Sequence, residues 1–379
     1  MKKLYVLIFI VLLVLLVSTT SYQKTGLEHY YFIIALGLDK LENDMLKISV
    51  QLSTSNNEDS GSSGSSQASS SKVYSVEAHS INEGITILNN YLSKKLNLSH
   101  CSAIIFSEEL AKDGIKKHFN TLSNDVELRQ SALLIVSSTS SYDFLKSVSS
   151  SEETFSSRMY DHYTSSIDYT GFSYKSTLGD FFKALHNESI DPICLYVANS
   201  NNIMQTSGLA IFKSDKMVEN ISVKNAIAHL ILTNNLESSI ISLENPLNPK
   251  EKIDLEISLY KDTSYDIEII NNIPCIIAKI YPEGRILSAD STFNYSDYEN
   301  IKKIEDFCNK HISKLTEEYF ENTSRKFYVD PVGYKDLYKS RFLTEKLFNS
   351  TNWDSLFKNA YFAGTVSSKI NSNNLFNKD

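Results

Sequence analysis

Glycine and proline are scarce in this 379-residue chain, at 12 and 6, which excludes collagen-like and proline-rich architectures. Cysteine is scarcer still. Cys101, Cys194, Cys275 and Cys308 stand at long, irregular spacings with no CxxC pair, so no zinc or thioredoxin signature is present. An oxidising compartment would permit a disulfide, but Cys101 and Cys275 lie in or beside apolar runs, and buried free thiols are the expectation. Positive charge is also in deficit. With 37 Lys and Arg against 45 Asp and Glu the net charge is −8, so no basic face for nucleic acid is implied. After position 22 no stretch approaches 18 consecutive apolar residues, which leaves no later membrane-spanning helix to expect.

Catalytic signatures are missing as well. There is no GxGxxG, GxxxxGK[ST], HExxH or GxSxG, and the "GSSGSS" at 61–66 lacks the strand-to-helix setting a nucleophile requires. The eight histidines show no ligand-like i, i+4 pairing. His100 and Cys101 are neighbours, but two further metal ligands are not signposted, and a helix-to-strand corner is the plainer reading. Asp125 with Glu127, and Glu317 with Glu318, can be cast as acid and base, yet nothing in sequence separates their pKa values, and they read as solvated faces. Lys314 and Glu318 form an i, i+4 pair. No catalytic, metal or cofactor-binding residue is predicted, and no cofactor.

What is present begins at the N-terminus. Lys2 and Lys3 precede an unbroken apolar run, Leu4 to Val17. Fourteen residues at a rise of about 1.5 Å give roughly 21 Å, short of a hydrocarbon core of about 30 Å. Residues 1–22 therefore read as an export signal or, if Ser18 to Ser21 extend the span, as an uncleaved anchor. Behind it the pattern predicts an exported body of mixed α/β and α+β class, multi-domain, with its sheets covered by helices.

Residues 23–200 read as an α/β domain. Strands are expected at "YFIIALGLDK", "LKISVQL" and "VYSVEA", with a flexible Ser-rich loop at 53–72 joining the last two. The clearest helix starts at Ser80, where S-x-x-E with Glu83 is a capping box and Ile81, Ile85, Leu88, Leu92 and Leu96 make one stripe. "SAIIFS", a helix over "EELAKDGIKKHFNTL", "SALLIVS", a helix from "SSYDFLKSV" and another at "TLGDFFKALHN" continue the alternation. Residues 150–176 are poorly patterned and hold a cluster of four of the chain's 22 tyrosines, a residue suited to interfaces.

Residues 201–379 read as α+β, with 250–265 as the place of any further split. This region predicts a hairpin turning at Ser214-Asp215, a helix at "VKNAIAHLILTNNL", three antiparallel strands between 252 and 284, a long helix "DYENIKKIEDFCNKHISKLTEEYFENT" and a closing strand "YFAGTVSSKI".

The order of these motifs resembles the Ger(x)C family, the C subunits of nutrient germinant receptors in spore-forming bacteria. The likeness runs from about residue 21 to 370. Its opening, "SYQKTGLEHYYFIIALGLDK", is similar to the family's Cys-Trp-Asp followed by a strand ending Gly-[Ile/Leu]-Asp-Lys. "LSHCSAIIFSEELAKDGI", "NDVELRQSALLIVS", "TLGDFFKAL...DP", "GLAIFKSDKMV", "YVDPVGY" and Trp353 with Phe357 follow in family order. The resemblance implies a non-enzymatic subunit in three sub-domains, at the membrane on the outer face of the spore inner membrane, beside integral-membrane A and B type receptor subunits and without nucleic acid.

One departure stands out. Ser21 occupies the place of the family's lipidated cysteine, and no cysteine precedes Cys101. A hydroxyl cannot form the thioether, so no lipid anchor is expected. Either the apolar segment is kept as a helix, or it is cleaved near Thr20 and partners alone hold the chain. The competing expectation is an exported, membrane-associated small-molecule binding protein.

Overall fold

A computed structural model describes residues 26–53, 71–149, 174–200, 203–288, 294–295 and 297–371. After a 3-10 turn at Leu27–His29, strands β1 (Tyr30–Lys40), β2 (Leu46–Ser53) and β3 (Ser71–Ala78) run as an antiparallel meander. Ser53 pairs with Ser71, so the serine-rich loop does join two paired strands. Residues 54–70 of it lie outside the described residues.

Helix α1 (Ile81–Tyr91) begins at the predicted box. Ser80 Oγ accepts from the Glu83 amide at 3.1 Å, and Glu83 Oε2 accepts from the His79 amide at 2.8 Å. The helix is shorter than its stripe suggested. It ends at Tyr91 because Asn89 Oδ1 takes the amide of Leu96 at 2.8 Å, and Leu96 reaches the core from strand β4 (Lys95–Asn97) instead. β4 and then β5 (Ala103–Ser107) lie parallel to successive stretches of β1.

The helix expected over 108–122 is two helices, α2 (Glu108–Asp113) and α3 (Lys116–Ser123). Gly114 breaks it at φ 124°, and the next amide, Ile115, turns to the carbonyl of Asp215 at 3.0 Å. Strand β6 (Leu133–Ser137), helices α4 (Ser141–Ser149) and α5 (Leu178–His186), strand β7 (Ile193–Ser200) and the hairpin β8 (Ile203–Lys213) with β9 (Lys216–Ser222) follow.

The first sheet has the order β3-β2-β1-β5-β6-β7-β8-β9, with β4 beside β1. Its parallel centre, β1-β5-β6-β7, is covered on both faces, which is why β5 and β6 are apolar without alternation. Leu88, Leu110, Phe119, Leu122 and Phe181 from the helices cover one face, and Phe144 and Leu145 of α4 cover the other. The sheet does not stop near residue 200: β8 pairs with β7, and the hairpin forms its edge.

The "GLDK" at the end of β1 has a mechanical purpose. Asp39, buried, accepts the amides of Ser141 at 2.5 Å and Tyr142 at 3.2 Å and so holds the start of α4. Burial raises its carboxyl above the usual range against the pull of those amides. Gly37 lets α4 approach, since a Cβ there would lie 2.6 Å from Ser141 Oγ and 3.0 Å from Leu145 Cδ1. Gly37→Val is expected to push α4 off the sheet and to cost about 2–3 kcal/mol by overpacking, measured as a lower urea midpoint at unchanged slope.

Helix α6 (Val223–Leu232) leads into the second sheet: β10 (Ser239–Asn245), β11 (Asn248–Ile270) and β12 (Ile273–Ser288), antiparallel. Two of the strands read from sequence are thus one 23-residue strand. The polar stretch at 261–264 is carried by register shifts rather than by a turn, and residues 250–265 lie inside this strand. Helix α7 (Tyr298–Glu321) lays Ile304, Cys308, Ile312 and Leu315, three or four residues apart and so on one face, on the sheet. A π turn (Asn322–Phe327), helices α8 (Tyr334–Lys339), α9 (Glu345–Asn349) and α10 (Trp353–Asn359), and strands β13 (Tyr361–Val366) and β14 (Lys369–Asn371), parallel to β12, complete the described residues.

Leu209, Ile211 and Ile221 of the first sheet share one core with α6, α7 and Ile253, Leu255, Ile257, Ala278 and Ile280 of the second. Buried in it, His229 Nδ1 meets the Tyr319 hydroxyl at 2.8 Å, and burial pushes the imidazole down to about 3. Among the described residues no helix is long and apolar enough to cross a membrane.

Candidate functional site

The two halves meet at a pair of aspartates 139 residues apart. Asp191 precedes β7. Asp330 follows the π turn, where Tyr328 takes φ 59° and redirects the chain. Each amide serves the other residue: Asp191 N donates to the Asp330 carbonyl at 2.9 Å, and Asp330 N donates to Asp191 Oδ2 at 2.8 Å. Lys213 Nζ, at the end of β8, lies 3.1 Å from the same Oδ2 and 3.8 Å from Asp354 Oδ1.

Asp330 fixes the start of α8. Its Oδ1 accepts the amides of Gly333 at 2.9 Å and Tyr334 at 3.0 Å, and its Oδ2 that of Lys335 at 2.8 Å. Lys335 Nζ reaches back to the carbonyl of Glu188 at 2.7 Å. Gly333 takes φ 87° close over Ile190, where a Cβ would lie 2.9 Å from Ile190 Cγ1. Trp353 and Phe357 stack at 5.4 Å, with Tyr338 5.0 Å from Trp353. Asp191, Lys213, Asp330, Lys335, Trp353 and Phe357 border a cleft of about 320 Å³.

Burial raises the Asp330 carboxyl to about 7, helped by the charge of Asp191 and opposed by the three amides. A carboxyl near neutrality in a cleft is a common mark of acid–base chemistry. Here the group is buried and both oxygens accept backbone amides, which ties it to the start of α8. The arrangement is a latch.

The residues singled out from sequence are each engaged elsewhere. Cys101 Sγ donates to the Ala103 carbonyl at 3.3 Å, and His100 packs edge-on to Phe32 at 4.3 Å. Among the described residues no group of three or more His, Cys, Asp or Glu could hold a metal ion. Asp125 Oδ1 accepts the Glu127 amide at 2.8 Å, and Glu127 Oε2 accepts the Leu98 amide at 3.2 Å. Glu317 accepts from Ser313 Oγ at 2.9 Å, while Glu318 lies 3.3 Å from Lys224 and 3.9 Å from Lys314. All four cysteines are free thiols, and burial pushes Cys101 and Cys308 up to about 12. Ser21 and residues 158–173 of the tyrosine-rich stretch lie outside the described residues.

Residues 23–198 match the family model of the spore germination protein N-terminal domain, and residues 207–374 that of the spore germination B3/GerAC-like C-terminal domain. The chain belongs to the Ger(x)C family of spore germination proteins. It is 22% identical to the spore germination protein GerQC of Bacillus cereus, over 79% of this chain and 82% of that one. It is 23% identical to the putative spore germination protein YfkR of Bacillus subtilis (strain 168), over 94% of each, and 21% identical to spore germination protein KC of the same strain, over 91% and 89%. The crystal structure of the GerBC protein shares the fold, with a TM-score of 0.57, 15% identity and coverage of 88% of this chain and 96% of that one.

In this Ger(x)C chain the latch joins one family segment to the other, Asp191 lying in the first and Asp330 in the second. Their importance was not visible in sequence. "DP" and "YVDPVGY" marked family likeness, but nothing local said that the two aspartates meet.

Proposed function

We propose that the chain is the non-enzymatic C-type subunit of a spore nutrient germinant receptor. It acts on the outer face of the spore inner membrane beside integral-membrane A and B type subunits. The observation that carries this reading is the family match along both segments, in order and nearly end to end. The non-enzymatic part is supported by the engagement of the candidate carboxylates with backbone amides, a serine hydroxyl or lysines.

With Ser21 in place of a lipidated cysteine, the apolar run Leu4 to Val17 serves as an uncleaved anchor, and Lys2 and Lys3 stay on the inner side. The intact mass of the native chain from spore membranes is expected to match residues 1–379, 42.9 kDa, with or without the initiator Met. A chain shorter by about twenty residues and free of acyl groups would overturn the anchor. Spores lacking the chain are expected to lose response to a set of nutrients while still germinating with non-nutrient agents. A normal nutrient response, with no second receptor covering the loss, would sink the receptor reading.

A further inference from the structure

We propose that the end of the first sheet from which the N-terminal segment departs lies against an anionic lipid surface, with Val126 and Tyr91 as apolar contacts and Lys94 and Lys95 at the headgroups. The proposal rests on the membrane reading above and adds an orientation to it.

The tether sets the distance. The described chain begins at Gly26, and only Ser18 to Thr25 separate it from the apolar run. Eight residues span at most about 29 Å even when fully extended. An apolar run seated in a bilayer thus keeps the start of β1 close to the headgroups.

The surface around that start has the required chemistry. Tyr30 is paired with Lys95. The Tyr31 hydroxyl lies 3.2 Å from Ser93 Oγ, with Lys94 Nζ 5.3 Å from its ring. Lys95 and Val126 line one groove, of about 620 Å³, with Ile85, Leu96 and Leu98. Val126 is 99% exposed and Tyr91 79% exposed. Large apolar groups standing out into water beside lysines and a tyrosine form the composition that settles at a bilayer interface.

The charge balance points the same way. Asp125 and Glu127 line the same groove and accept backbone amides, Asp125 those of Glu127 and Leu128 and Glu127 that of Leu98. With exposed Glu28, close to His29, they match Lys94, Lys95 and exposed Arg129 in number, so this end is neutral where the chain as a whole is acidic. Each such cation near an anionic surface is attracted by about 1 kcal/mol.

The test uses the full chain reconstituted in vesicles of phosphatidylglycerol and phosphatidylcholine, with bromines on the upper acyl chain as a contact quencher. Trp353 is the single tryptophan and is buried, so the wild type supplies a constant background. Val126→Trp reports the proposed contact. Glu42→Trp reports the opposite end of β1, about 33 Å away at the usual strand rise.

Brominated lipid is expected to lower the added emission of Val126→Trp about twofold and to leave that of Glu42→Trp unchanged. Adding Lys94→Glu and Lys95→Glu is expected to weaken that quenching while the protein still floats with the vesicles. Flotation without quenching at 126, equal quenching at 42, or equal quenching at 126 in pure phosphatidylcholine would overturn the proposal and leave the anchor standing. Failure to float would overturn both.

Discussion

Asp330→Asn will lose stability at acid pH and regain part of it, relative to the wild type, as the pH rises. The wild-type carboxyl has an ordinary value of 3.8 and is lifted to about 7 by burial. Between those values the folded chain holds a proton that the unfolded chain has released. Its stability therefore falls through this window as pH rises, by up to about 4 kcal/mol at 1.4 kcal/mol per unit. Asparagine has no such proton, so the difference between the two proteins isolates this group.

That difference matters because His229 acts in the opposite sense. Its folded value is depressed to about 3, so its contribution is present above 6.5 and is lost as pH falls. A raw wild-type profile sums both effects. Thermal unfolding of the pair from pH 4.5 to 8 is the measurement, and parallel profiles would show that the three amides keep Asp330 ionised throughout. Asp330→Ala removes the acceptors altogether. It is expected to cost about 3–5 kcal/mol, because three amides at the start of α8 lose their partner in a buried place.

Gly208→Ala is the second large effect. Gly208 takes φ 136° beside a bulge in β8, where Tyr196 pairs with Gly208 and Val197 with Thr206, leaving Ser207 as the extra residue. A Cβ there would stand 1.7 Å from the carbonyl oxygen of Ile221. The obstacle is backbone, so no rotamer relieves it, and either β8 must change its dihedral or β9 must leave. The expected cost is at least about 3 kcal/mol, read as a lower urea midpoint together with early amide exchange along Lys216–Ser222. An unchanged midpoint would mean that the hairpin's pairing at Gly208 is not as described.

Local chemistry was legible in the sequence, and pairing at a distance was not. The box at Ser80 and Glu83 and the face of α7 needed only neighbours three and four residues apart. Gly114 was visible too, but a single glycine in a helical pattern does not announce φ 124° until Asp215 offers a carbonyl across the fold. The polar stretch at 261–264 mimicked a turn because register shifts leave no compositional mark. α8, α9 and α10 went unread because their burial depends on an aromatic cluster around Phe320, which packs against Tyr334 at 5.7 Å and Phe357 at 5.6 Å. The latch was hidden for the same reason: each aspartate is ordinary until its partner is known.

The shared core has a mechanical consequence. The edge of the first sheet is also a wall of the second half's interior, and Asp191 and Asp330 rivet the seam at another point. Bending there would expose Leu209, Ile211 and Ile221 and break paired amides together. A seam built this way resists bending between the halves and favours their moving together.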